Sequence, residues 1–187
     1  MRKTVAAWMI GLFVFGASLL VHPVQACAHS PDSPVAQGRF SVGLGGGLGS
    51  DSAAVGLGFG YFVLDGLMPG VRYVFQWQGY DHYDYDVYQH DVSLYLRYFP
   101  FDIEAVLPFL VGEGSWLRYT QEGKGVDDRS LSLWSALGGA GVLVLIAKHF
   151  SIELMAGIRH YFDIPSDIAE GFDENKLEWN LGFGLYF

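Results

Sequence analysis

The sequence predicts an all-β protein, specifically an eight-stranded antiparallel up-and-down transmembrane β-barrel. Three observations point there. Segments along the chain alternate apolar residues with polar residues or glycine at period two, the spacing that gives a strand one greasy face. Eight such segments occur, joined by connections that are alternately short and longer, as in a membrane barrel with tight turns on one side and loops on the other. Finally, only 17% of the 187 residues are charged, against roughly 25% in ordinary globular chains. Hydrophobic residues make up 51%, aromatics 16%, and the mean hydropathy is +0.24. A disordered chain is excluded by that content, and water is a poor solvent for one face of every strand.

The first segment has Phe40, Val42, Leu44 and Leu48 alternating with Ser41 and glycines. In the second, Val55, Leu57, Phe59, Tyr61 and Val63 alternate with Gly56, Gly58, Gly60 and Phe62. The third sets Val71, Tyr73, Phe75 and Trp77 against Arg72, Val74, Gln76 and Gln78, and the fourth sets Val92, Leu94, Leu96 and Tyr98 against Asp91, Ser93, Tyr95 and Arg97. Residues 107–119 and 131–145 carry weaker versions and form the fifth and sixth. The seventh has Ile152, Leu154, Ala156 and Ile158 opposite Glu153, Met155, Gly157 and Arg159. The eighth has the clearest pattern: Leu177, Trp179, Leu181, Phe183, Leu185 and Phe187 alternate with Glu178, Asn180, Gly182, Gly184 and Tyr186. A soluble sandwich would put charges on the second face, and here it holds mostly glycine and neutral polar groups.

An even strand count puts both termini on one side. With the termini periplasmic, the periplasmic turns fall at residues 65–69, 100–105 and 147–149, and the outer connections at 49–52, 79–87, 120–129 and 163–175. Trp77, Trp116, Trp134 and Trp179 are then expected at the outer rim, with Tyr61, Tyr98, Phe99, Phe101, Phe150 and Phe187 at the inner one, as two interfacial girdles. The rival is a membrane helix through the 18 uncharged residues 130–147. Period-two strands elsewhere have no place in a helical bundle.

Residues 1–28 read as a secretory signal peptide: Arg2 and Lys3, an apolar run, then small residues with cleavage before Cys27 or His29. Residues 29–38 form a short leader and 39–187 the barrel. The tetrad Val24-Gln25-Ala26-Cys27 is similar to a lipobox, with Gln25 where a small residue is usual. Cys27 is the single cysteine, which excludes a disulfide framework and a cysteine-based zinc site. Removing residues 1–28 leaves nine basic against twenty acidic residues, a net of −11, which argues against a nucleic-acid partner.

The ending Leu181-Gly182-Phe183-Gly184-Leu185-Tyr186-Phe187 resembles the assembly signal of Gram-negative outer-membrane proteins, carried by Leu181, Phe183, Leu185 and Phe187. With the stretches Tyr61-Phe62-Val63-Leu64-Asp65-Gly66-Leu67 and Arg97-Tyr98-Phe99-Pro100, the chain resembles the small outer-membrane β-barrel domain family over roughly residues 38–187. That resemblance implies a monomeric integral outer-membrane protein, with membrane lipid including lipopolysaccharide and the outer-membrane assembly machinery as partners. No cofactor is expected, and the peptidoglycan-binding domain of some larger relatives is expected to be absent.

An eight-stranded lumen is nearly filled by side chains. The inward phase carries Arg72, Arg97 and Arg159 with Glu113, Glu153 and Glu178, three bases facing three acids. Buried charges persist when paired, so an internal ion network plugging the lumen is expected. Arg159 with Glu178 is the foremost pair, and Arg72 and Arg97 lie within reach of Glu113 and Glu153. Outside, residues 79–91 hold four Tyr, four Asp and two His. Within them Tyr80, Asp81, His82, Tyr83, Asp84, Tyr85 and Asp86 are the candidates for surface interaction. The expected role is therefore structural or interactive. The alternative is a narrow channel for small or apolar solutes. The third reading, a lipid A hydrolase using His160 with Ser166 and Glu170 or Glu174, lacks a serine two residues after His160, where Phe162 stands.

Overall fold

The structure is a computed structural model that describes residues 33–48, 52–80, 85–101, 103, 105–123, 129–162, 164–165 and 174–187. Eight strands are found among them: β1 (Phe40–Leu48), β2 (Ser52–Tyr61), β3 (Leu67–Tyr80), β4 (Tyr85–Tyr98), β5 (Val106–Gly123), β6 (Arg129–Ala147), β7 (Phe150–Phe162) and β8 (Asn175–Tyr186). Each pairs antiparallel with the next, and β8 returns to β1, so the barrel is closed. The candidate helix at 130–147 lies in strand β6, and no helix of the described residues is long and apolar enough to cross a membrane.

Period two decides which residues meet lipid. Along β7 the burial alternates residue by residue, with Ser151, Glu153, Met155, Gly157, Arg159 and Tyr161 buried and their neighbours facing out. The outward set is large and apolar, including Leu57, Leu94, Leu110, Ile158, Leu181 and Phe183, all exposed. A continuous apolar wall of this extent requires hydrocarbon rather than water around it. Trp134 and Trp179 stand on that wall, 62% and 70% exposed. Phe99 does not join the inner girdle. It is 1% exposed, because its backbone N–H bonds the Gly66 carbonyl at 2.7 Å and its ring turns inward onto Phe62 and Phe109.

The turns differ slightly from the sequence expectation. Strand β3 begins at Leu67, so the first turn is residues 62–66 and Pro69 lies inside the strand. Pro69 is tolerated because the ladder to β2 has already ended at Gly60↔Gly70, and no N–H is needed on that side. Gly66 adopts φ 70° in this turn, a conformation that costs a residue with Cβ about 1 kcal/mol or more. The outer connection after β3 is much shorter than residues 79–87. The β3–β4 ladder runs to Tyr80↔Tyr85, since tyrosine and valine favour strands, and only residues 81–84 remain between them.

Of residues 33–38, part of the expected leader, Ser33, Val35 and Ala36 are buried. Val35 is fully buried within the apolar cluster at the turn end, together with Phe62, Met68, Phe99, Leu107 and Phe109. Gly66 N–H donates to the Val35 carbonyl at 2.9 Å, Gln37 N–H to Asp65 Oδ1 at 2.7 Å, and Gly38 N–H to the Phe62 carbonyl at 2.9 Å. Val35→Ala should therefore cost about 2 kcal/mol in denaturant unfolding of the lipid-reconstituted barrel. An unchanged midpoint would remove this segment from the core.

Candidate functional site

The lumen is built in layers. At the end carrying the turns, Val35, Phe62, Met68, Phe99, Leu107 and Phe109 join Tyr95, Leu143, Met155 and Tyr186 in one buried apolar cluster. Two inward glycines make room for it. A Cβ on Gly60 would stand 2.6 Å from Met68 Sδ and 2.9 Å from Tyr95 Oη, and its register partner Gly70 touches the Tyr95 ring.

Above this plug lies the charged layer, and all six charged residues read from the inward phase are placed in it. Arg97 Nη1 donates to Glu153 Oε2 at 2.6 Å, and Tyr186 Oη donates to Glu153 Oε1 at 3.0 Å. The Arg97 guanidinium sits 5.1 Å from the Tyr95 ring centroid and 4.9 Å from that of Phe109, so two aromatic faces replace part of its hydration. Glu113 is shared. Its Oε1 accepts from Arg72 Nη2 at 2.7 Å, from Arg159 Nη2 at 3.0 Å and from Ser115 Oγ at 3.0 Å. Arg159, from β7, directs Nε to Glu178 Oε1 at 2.8 Å and Nη1 to Ser115 Oγ and Ser135 Oγ, each at 2.8 Å.

The expected balance of three against three is corrected by Asp91, a fourth acid. It is 4% exposed, accepts from Ser93 Oγ at 2.7 Å, and lies 3.8 Å from Arg159 Nη2. Asp91 stands in the inward phase of β4 with Ser93, Tyr95 and Arg97, and it also closes the Tyr-rich run of residues 79–91. The sequence reading also missed the serines. Ser93, Ser115 and Ser135 are successive register partners across β4, β5 and β6, a row of small hydroxyls that leaves space for the Arg159 guanidinium. The available signal was a serine in the inward phase of three consecutive strands.

Beyond the charges, Leu117, Leu133 and Tyr161 form a second buried cluster on the β5–β7 side, with Tyr119, Leu131 and Ile164 against it. On the opposite side the wall is glycine-rich, and a cavity of about 430 Å³ remains, bordered by Gly43, Gly45, Gly56, Gly58, Arg72 and Asp91.

The outer candidates are scattered. Asp81, His82, Tyr83 and Asp84 lie outside the described residues, as do Ser166 and Glu170. Tyr80, Tyr85 and Asp86 are at strand ends rather than in a loop. The imidazole of His160 shares a hydrogen bond with Asn175 Oδ1 at 3.0 Å, and its ring meets Phe162 edge-on. Of the candidate assembly residues, Leu181, Phe183, Leu185 and Phe187 all face outward and exposed. Phe187 exchanges backbone bonds of 2.9 and 3.0 Å with Phe40 at the closure.

No protein-family model matches the chain, and no curated protein does. Solved structures do resemble it. The N-terminal β-barrel domain of Pseudomonas aeruginosa OprF superposes with a TM-score of 0.57 at 15% identity, covering 81% of this chain and 98% of that one. Neisserial surface protein A gives 0.57 at 14% identity, covering 80% and 95%. Ail, the attachment invasion locus protein of Yersinia pestis, gives 0.54 at 17% identity, covering 81% and 99%. With its closed ring of eight antiparallel strands and its apolar outer wall, the chain has the fold of the small eight-stranded outer-membrane β-barrels.

Proposed function

We propose that the chain is a monomeric integral outer-membrane protein with a structural or surface-interacting role, whose lumen does not conduct and whose outer connections meet the partner. The observation that carries this reading is the crossed lumen: buried Arg–Glu pairs of 2.6 to 3.0 Å directly above an apolar cluster. An ion following the axis must part those pairs and then enter a dry layer, and both steps are costly. The acidic excess supports an outer partner. Asp81, Asp84, Asp127, Asp128, Asp163, Asp167, Glu170 and Asp173 all fall in the outer connections. The outward row Leu181, Phe183, Leu185 and Phe187 supplies what the outer-membrane assembly machinery would read, and the apolar wall is in contact with membrane lipid including lipopolysaccharide.

Planar-bilayer recording tests the closed lumen. The wild-type barrel is expected to give no stable single-channel steps, whereas large, reproducible steps would replace this reading with the narrow channel. For the surface role, replacing residues 81–84 by the two-residue turn Asn-Gly should abolish whole-cell binding to the partner while leaving barrel assembly intact.

A further inference from the structure

The barrel is closed unevenly. The β1–β8 ladder runs from Ser41↔Tyr186 only to Gly45↔Gly182. Beyond that point β1 stays on β2 up to Leu48↔Ala53, and β8 stays on β7 up to His160↔Asn175. Residues 175–181 of β8 therefore have no ladder on their β1 side among the described residues. Strands β1 and β2, of 9 and 10 residues, are also the shortest, against 18 and 19 in β5 and β6.

Burial along β8 records the opening. Among its inward residues, Gly182, Gly184 and Tyr186 are buried, Asn180 and Glu178 are half-buried, and Lys176 is exposed. The lumen cavity of about 430 Å³ is bordered by residues of both faces of β8: Glu178, Asn180 and Gly182 from inside, Trp179, Leu181 and Phe183 from outside. Neighbouring residues of a strand point to opposite faces. Leu44 and Phe183 are paired in the closed ladder and border the cavity between lumen glycines, whereas Trp179 and Leu181 border it where the β1–β8 ladder has ended, so the gap lies beside them.

Its two parts differ in chemistry. Inside, the border is polar and charged, while at the unpaired edge of β8 it is apolar, at Leu177, Trp179 and Leu181. Among the bordering cations, Arg72, Arg97 and Arg159 each hold a carboxylate within 3.0 Å, and Lys176 has no acidic partner among the described residues. At the turn end the cavity stops against the plug, so it leads to the loop end and to lipid, not across the barrel. Its size is in the range of small-molecule pockets, roughly 300–1,000 Å³.

We propose that the open seam between β1 and β8 is a lateral binding site for a single-chain anionic amphiphile. The carboxylate or phosphate head lies in the lumen at Lys176, and the acyl chain leaves through the wall beyond Gly45↔Gly182, past Trp179 and Leu181. The site needs no conduction along the axis, so it stands independently of whether the lumen is closed to ions.

The test is NMR of the full chain in phospholipid nanodiscs, in a Cys27→Ser background, titrated separately with laurate and with lysophosphatidic acid. Saturable shifts are expected at the lumen-facing amides of Gly43, Gly45 and Gly182, which bulk lipid does not reach. Saturation by laurate, by the lysolipid or by both supports the site and identifies which head it takes. Lys176→Glu should weaken binding about tenfold. Gly45→Val should abolish it, because a Cβ there has its nearest neighbours at 3.6 Å and the added methyls fill the cavity. If that variant does not fold, Gly43→Leu decides: a Cβ there meets only the Phe183 carbonyl oxygen, at 3.8 Å, and the longer side chain fills the same cavity, so binding should be lost from a folded barrel. Shifts that grow linearly and stay on lipid-facing amides such as Leu154 and Ile158 would overturn the proposal. So would saturable binding that persists in the folded Gly43→Leu barrel.

Discussion

Glu113→Ala should destabilise the barrel by about 3–5 kcal/mol, the cost typical of stranding buried charges. The Glu113 side chain is 2% exposed and is the single carboxylate joining Arg72 to Arg159, at 2.7 and 3.0 Å. Without it Arg72 has no carboxylate partner among the described residues, Arg159 keeps only Glu178 and Asp91, and Ser115 loses an acceptor. Glu113→Gln keeps an acceptor but removes the charge, and should fall between wild type and alanine. Glu178→Ala gives the contrast. That side chain is 25% exposed at the cavity mouth, and its loss should cost nearer 1 kcal/mol. Urea unfolding in lipid vesicles measures all three. Equal losses at Glu113 and Glu178 would mean that burial does not set the strength of the network. Replacing Arg72, Arg159, Asp91, Glu113 and Glu178 together with apolar residues leaves no charge of this cluster unpaired and should recover much of the loss, because it is the unpaired charge that is expensive.

Two adjacent glycines should respond in opposite ways. Gly139 faces the lumen, and a Cβ there would stand 2.6 Å from the Ala156 carbonyl oxygen and 2.9 Å from Gly157 Cα. Both are backbone atoms of β7 and cannot rotate away, so Gly139→Val should cost about 3 kcal/mol or more and deplete the assembled barrel. Gly138 faces out with nothing within 4 Å of its Cβ. Gly138→Val should be neutral or stabilising by about 0.5–1 kcal/mol, since it removes the entropy penalty of glycine and adds a strand-favouring side chain. Folded yield by heat-modifiable gel mobility reads both, and a pair of equal effects would defeat the assigned facing.

These glycines also mark a limit of the sequence reading. Crowded inward glycine describes Gly60, Gly70 and Gly139, but Gly112, Gly114 and Gly138 are turned to the lipid side with open space around them. Glycine carries no hydropathy signal strong enough to set its phase by itself. In β5 and β6 the alternation is weak because both phases contain small residues, and phase becomes certain only through neighbours such as Glu113 and Ser135. The girdle assignment of Phe99 missed for a related reason. An aromatic just past a strand end has no periodic context, and a turn hydrogen bond decides its direction.

Period two alone was enough for the fold class, the eight segments and the inward phase of all six network charges, because alternation is a local property of an extended backbone. It was not enough to say who meets whom. Arg97 reaches Glu153 across 56 residues and Arg159 reaches Glu113 across 46, distances set by register, strand tilt and closure of the ring. Asp91 in the network, Val35 in the plug and the half-zipped β1–β8 seam depend on the same closure. Which face a residue takes is decided by its immediate neighbours along the strand. What it touches is decided by the other strands, and only the tertiary structure brings those together.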